Sequence, residues 1–128
     1  MDCLLIHAPR MRPHFNQIMV MPAGLFSLAH VLETRGLDVR ILHLGLMRSQ
    51  DNGFDLAAYL TRHRPPIVGL SLHWFYSTDA VFQVAKETKK VLPATKIVVG
   101  GFTASCFADA LCRNPAVDYV ISGDGEPG

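Results

Sequence analysis

Five short apolar runs, Cys3 to His7, Val39 to Leu44, Ile67 to Leu72, Lys96 to Val99 and Asp118 to Ile121, alternate along the chain with stretches of helical spacing. That order constrains the fold more than any other feature, because strands separated by helices pair in parallel and need helices on both faces of the sheet. The first connection opens with Ala8-Pro9-Arg10-Met11-Arg12-Pro13, a loop in which each proline keeps its predecessor out of helix. Pro22 then starts a helix whose core positions Leu25, Leu28, Ala29 and Leu32 recur until Gly36 stops it. Further helices are predicted over Phe54 to Arg64, from a cap at Ser77, Thr78 or Asp79 to Val91, and over Ala104 to Arg113. The expected architecture is α/β, a doubly wound five-stranded parallel sheet in a three-layer αβα sandwich.

With 128 residues, 49% of them hydrophobic and 18% charged, the chain makes one domain that buries roughly two-thirds of its unfolded surface. A formal net charge of +1 and the lack of a Lys/Arg run argue against a nucleic-acid surface, which needs clustered phosphate contacts. The N-terminus has neither the basic segment nor the long apolar stretch of a secretion signal. The most apolar run, Ile18 to Leu32, is broken by Pro22, Gly24, Ser27 and His30 and is shorter than the roughly 20 residues that span a bilayer, so no membrane role is expected. Cys3, Cys106 and Cys112 share no metal-type spacing, and their odd number fits a reducing compartment, so a cytoplasmic location is expected. The turn-rich ending Gly123-Asp124-Gly125-Glu126-Pro127-Gly128 leaves the last strand without a following helix. The expectation is an N-terminal piece of a longer protein, cut between domains. Phe26 and Val31 broaden the apolar surface of the first helix, which suits either a partner domain or a wide sheet.

Open α/β sheets hold ligands at the carboxyl ends of their strands, and two strand ends here carry unusual residues. Ser71-Leu72-His73 closes the third strand, where the Ser71 hydroxyl can meet a ligand or bond its own backbone. Trp74, Phe75 and Tyr76 follow. This aromatic loop suits a planar macrocycle or nucleobase, or a surface hidden by a partner domain. Gly100-Gly101 closes the fourth strand, and without Cβ atoms a ligand can lie against the backbone there. An ordinary tight turn into the next helix has the same composition. The helix start at Phe102-Thr103-Ala104-Ser105 offers free amides to a phosphate.

These motifs belong to a larger pattern. It includes Pro22-Ala23-Gly24-Leu25-Phe26-Ser27-Leu28-Ala29 through Arg35-Gly36-Leu37-Asp38-Val39, then Val68-Gly69-Leu70-Ser71-Leu72 and Val98-Val99-Gly100-Gly101-Phe102-Thr103-Ala104. It ends with Val117-Asp118-Tyr119-Val120-Ile121 and Gly123-Asp124-Gly125-Glu126. In order and spacing the chain resembles the cobalamin (B12)-binding domain at the N-terminus of B12-dependent radical SAM proteins. The resemblance implies a flavodoxin-like, Rossmann-like fold in which the nucleotide tail of cobalamin enters a groove at the C-terminal edge of the sheet. Ser71 would contact the tail base, with Leu72 and His73 completing its motif. Gly100 and Gly101 would let the tail pass, Phe102 and Thr103 would flank it, and Gly123, Asp124, Gly125 and Glu126 would lie at the same edge. On this reading Gly101→Leu blocks the groove and leaves the fold intact.

The sequence departs from the wider B12-binding pattern in two places. No Asp is followed two residues later by His, so the usual cobalt-ligating histidine is absent, and the serine motif carries His73 where Leu is usual. The resemblance therefore implies base-off cobalamin without an assigned protein ligand. His14 and His73 are lone loop histidines, no metal site is assigned to either, and His7 and His43 are read as structural. No catalytic residue is assigned.

By resemblance, the domain presents corrinoid to a following radical SAM domain, which would hold a 4Fe-4S cluster and S-adenosylmethionine for methyl transfer or oxidative cyclisation. This chain lacks the Cys-x-x-x-Cys-x-x-Cys that holds such a cluster. A different class is a degenerate B12-binding fold that has lost corrinoid and serves as a docking domain. A flavodoxin or phosphoacceptor receiver fits less well, because His7-Ala8-Pro9 supplies neither a hydroxyl-rich phosphate loop nor an acidic pair for Mg²⁺.

Overall fold

The computed structural model describes residues 1–10 and 20–123. Its elements run β1 (Cys3–His7), α1 (Ala23–Thr34), β2 (Val39–His43), α2 (Leu44–Gln50), α3 (Leu56–His63), β3 (Ile67–Ser71), a 3-10 turn (Phe75–Ser77), α4 (Thr78–Val91), β4 (Lys96–Gly100), α5 (Phe102–Cys106), α6 (Ala108–Cys112) and β5 (Tyr119–Val120). All the strands are parallel, in the order β2-β1-β3-β4-β5. This is the expected flavodoxin-like arrangement. The winding reverses after β2, so the chain leaves β1 in one direction and continues from β3 in the other. A crevice opens at such a switch point, above the carboxyl ends of β1 and β3.

Side-chain alternation divides the core in two. Leu4 and Ile6 of β1, Val68 and Leu70 of β3, and Ile97 and Val99 of β4 face one side and are buried against Leu56 and Leu60 of α3, Val81, Val84 and Ala85 of α4, and Leu111 of α6. Each such side chain contributes roughly 1.5–3 kcal/mol on burial, so this layer dominates stability. On the other side, Cys3, Leu5 and Val39 meet Leu25 and Ala29 of α1. That helix lies over β1 and β2. Among the described residues nothing covers the same face across β3, β4 and β5, where Ile67 is 42% and Tyr119 56% exposed.

Local chemistry accounts for the departures from the expected boundaries. The run Val39 to Leu44 ends one residue early because the His43 side chain accepts the Leu46 N–H at 3.1 Å and starts α2, a helix the sequence reading did not contain. The helix expected over Ala104 to Arg113 is two short ones, broken at Phe107, whose ψ of 26° is off the helical value. In α1 the expected core residue Leu28 is exposed along with Phe26 and Val31, because the stripe of Leu25, Ala29 and Leu32 is what packs toward the sheet. The Asp118 carboxylate anchors the entry to β5. It accepts the Ile97 N–H at 2.8 Å and pairs with Lys89 at 2.6 Å, and these contacts hold its pKa below the usual carboxylate range.

Candidate functional site

Parallel register places His7, Ser71 and Gly100 side by side at the carboxyl ends of β1, β3 and β4. All three face the α1 side of the sheet, in the row that also carries His43 of β2. Adjacent strands lie about 4.8 Å apart, so the row from His7 to Gly100 spans roughly 10 Å, the breadth of a fused-ring heterocycle. Ser71 and Gly100 are both partly exposed, and the Ser71 hydroxyl makes no hydrogen bond among the described residues. A Cβ built at Gly100 meets only Ile121, at 3.6 Å. The row therefore forms a trough with a bare floor at Gly100, a hydroxyl at Ser71 and an imidazole at His7.

Gly101 has a different role from Gly100. Its φ of 116° and ψ of 173° lie in a region open essentially to glycine alone, and a Cβ there would stand 2.7 Å from the Leu72 carbonyl oxygen. The chain turns back at this point so that the Ala104 N–H can donate to that carbonyl at 3.3 Å. The expectation of an intact fold in Gly101→Leu is corrected accordingly, because its side chain would drive into the Leu72–His73 backbone just after β3 instead of the trough. The following helix, at whose start the sequence suggests free amides for a phosphate, has five residues, and one of its amides, Ala104, is already bonded to Leu72.

The other sequence candidates divide between support and surface. Leu72 is buried in the main core, and its N–H donates to the Gly100 carbonyl at 2.7 Å. The Thr103 hydroxyl donates to the His73 carbonyl at 2.8 Å, which ties the loop after β3 to the loop after β4. Neither offers its side chain to a ligand at the rim; both hold the rim in shape. His73 is exposed and packs edge-on against Trp74, with Phe102 also beside it. Trp74 stacks on Tyr76, and Phe75 packs against Phe107, giving an aromatic rim along the carboxyl edge. The Gly123 N–H donates to the Ser105 hydroxyl at 2.8 Å, which brings the end of β5 to this edge. Asp124, Gly125, Glu126 and His14 lie outside the described residues.

His7, which the sequence suggests is structural, closes this row on the β1 side. Its side chain is nine-tenths buried, its ring sits 4.6 Å edge-on from that of His43, and its Nδ1 is buried with no hydrogen-bond partner among the described residues. Burial, and secondarily the neighbouring His43, push its pKa down to about 4. Position at the end of β1 was the available signal, but only the β1–β3 register shows that His7 and Ser71 are neighbours on one face. Between pH 6.5 and about 4 the unfolded chain binds a proton at His7 that the folded chain refuses, so stability is complete above pH 6.5 and falls through this window. The slope is on the order of 1 kcal/mol per pH unit. Urea unfolding of wild type and His7→Gln from pH 7 to pH 4 measures it; the stability of wild type relative to the variant should fall as pH falls, and parallel curves would refute the assignment.

A doubly wound parallel sheet that carries such a row at the carboxyl ends of its switch-point strands has the architecture in which open α/β domains hold ligands. Residues 19–128 match the B12 binding domain family, and the chain belongs to that family. It is also 30% identical over 120 residues to a cytidylyl-2-hydroxyethylphosphonate methyltransferase of Streptomyces wedmorensis, a match covering 82% of this chain. The chain spans 22% of the length of that relative. The residues present fit the tail of a corrinoid, since Gly100 leaves a cradle that a side chain would fill and Ser71 supplies beside it a hydroxyl with no partner among the described residues.

Among the described residues, no three His, Cys, Asp or Glu side chains are grouped to hold a metal ion, and no helix is long and apolar enough to cross a membrane.

Proposed function

We propose that this chain binds base-off cobalamin, taking the nucleotide tail into the His7–Ser71–Gly100 trough and presenting the corrin ring at the aromatic rim to a radical SAM domain of the same protein. The observation that carries the reading is the in-register pairing of Ser71 with Gly100 on an open face at the carboxyl edge, in a member of the B12-binding family. Bound corrinoid supplies methyl-transfer or one-electron chemistry, while the chain's own residues bind and orient. Ser71 offers a hydrogen bond to the tail, and Gly100 admits it. The exposed rings of Trp74, Phe75, Tyr76 and Phe102 offer apolar surface to the macrocycle and to the domain that closes over it.

Relatedness to a phosphonate methyltransferase that extends well past the matched stretch supports methyl transfer as the parent reaction. The 4Fe-4S cluster and S-adenosylmethionine would belong to that further domain, and a Cys-x-x-x-Cys-x-x-Cys in the parent sequence tests this. A reducing, cytoplasmic setting suits the exposed thiols of Cys106 and Cys112. Reconstitution with hydroxocobalamin followed by desalting tests the binding itself. The protein should retain a red chromophore; a colourless protein would favour the docking domain, which the exposed aromatic rim would equally serve.

A further inference from the structure

We propose that His7 recognises the nucleotide tail of the bound corrinoid, giving a hydrogen bond from the β1 side of the trough as Ser71 does from β3. This inference rests on the cobalamin-binding reading above and adds a residue to its site. Three observations converge on His7. It closes β1 at the switch point of the sheet, where the diverging chain opens the crevice. It stands in register with Ser71 and on the same face. Its Nδ1 is buried without a partner among the described residues, although buried polar atoms are almost always paired.

An unpaired buried nitrogen persists where function calls for it, and a ligand in the trough would satisfy it. Neutral imidazole carries one donor and one acceptor, so His7 has the hydrogen-bonding capacity to meet a ring nitrogen or a ribose hydroxyl. The alternative role, cobalt ligation, needs a ring that projects above the strand ends. His7 instead lies folded into the layer between sheet and α1, only 9% exposed, with His43 against its edge. His43 is engaged elsewhere: its Nδ1 accepts from the Leu46 N–H, which leaves its proton on Nε2, 3.1 Å from the Val20 carbonyl. The tail is thus the part of the cofactor that His7 can reach.

The test compares hydroxocobalamin with cobinamide, the corrinoid lacking its nucleotide, by titration of the purified full chain. His7→Leu preserves bulk and removes an unpaired polar group, so the fold is retained. His7→Leu should raise the Kd for hydroxocobalamin about tenfold, the worth of one hydrogen bond and its buried partner, and leave cobinamide binding unchanged. His7→Gln, which restores a donor and an acceptor, should recover most of the loss. Equal losses for both corrinoids, or unchanged cobalamin affinity in His7→Leu with the wild type binding normally, would overturn the inference and spare the wider reading. A changed cobalt absorption spectrum in His7→Leu would overturn it in favour of metal ligation. Wild-type protein that binds neither corrinoid would overturn both.

Discussion

Gly101→Ala should destabilise the fold by about 3 kcal/mol or more, a large share of the roughly 5–15 kcal/mol that holds a domain of this size together. Two costs add. The φ of 116° with ψ of 173° costs a residue bearing a Cβ about 1–3 kcal/mol, and that Cβ would also stand 2.7 Å from the Leu72 carbonyl oxygen and 2.9 Å from its carbon. Relief would require the loop to lift away from β3, which would break the Ala104 to Leu72 bond and disturb the Thr103 tie to His73. Gly36 is the control, since it shares a positive φ of 83° but would place its Cβ in open space. Gly36→Ala should therefore cost only about 1–2 kcal/mol. Urea unfolding of the two variants beside wild type measures the difference, and equal costs would show that the close approach at Leu72 has no energetic weight.

The distinction between neighbouring glycines marks where sequence reasoning runs out. Alternating apolar runs and helical spacing suffice for the parallel sheet, because periodicity of burial is written into residue order. The helix α2 is hidden because its start depends on a histidine side chain turning back to cap it, a use of His43 that composition does not advertise. Leu28 has the spacing of a core residue, yet α1 buries only a narrow stripe and leaves it outside. At the site, the motif residues Ser71 and Gly100 are visible as strand ends, while their partnership with His7 depends on which strands are neighbours. Strand order is a tertiary fact. Leu72 and Thr103 carry the same motif signal as Ser71, and only the three-dimensional arrangement separates a partly exposed side chain at the edge from ones buried in holding the loops.

Gly100→Leu should abolish corrinoid binding while the fold survives, the outcome that sequence reasoning attached to Gly101. Gly100 has no positive φ, and its Cβ position meets only the Ile121 side chain at ordinary contact distance, so the backbone accepts a larger residue without strain. The added side chain projects onto the open face beside Ser71, the position a tail ring needs. Displacing a flat group from a trough about 10 Å wide removes most of its buried contacts, because neighbouring strands cannot move apart without breaking the ladder. The expected loss is at least 100-fold in Kd for hydroxocobalamin, about 2.7 kcal/mol, with an unfolding midpoint close to wild type. Gly100→Ala should lie between the two, since a single methyl narrows the trough without filling it. Cobinamide should bind Gly100→Leu almost as it binds wild type, because the proposed binding mode sets the corrin ring on the rim, away from this residue. Unaltered cobalamin affinity in a folded Gly100→Leu would show that the tail takes another path.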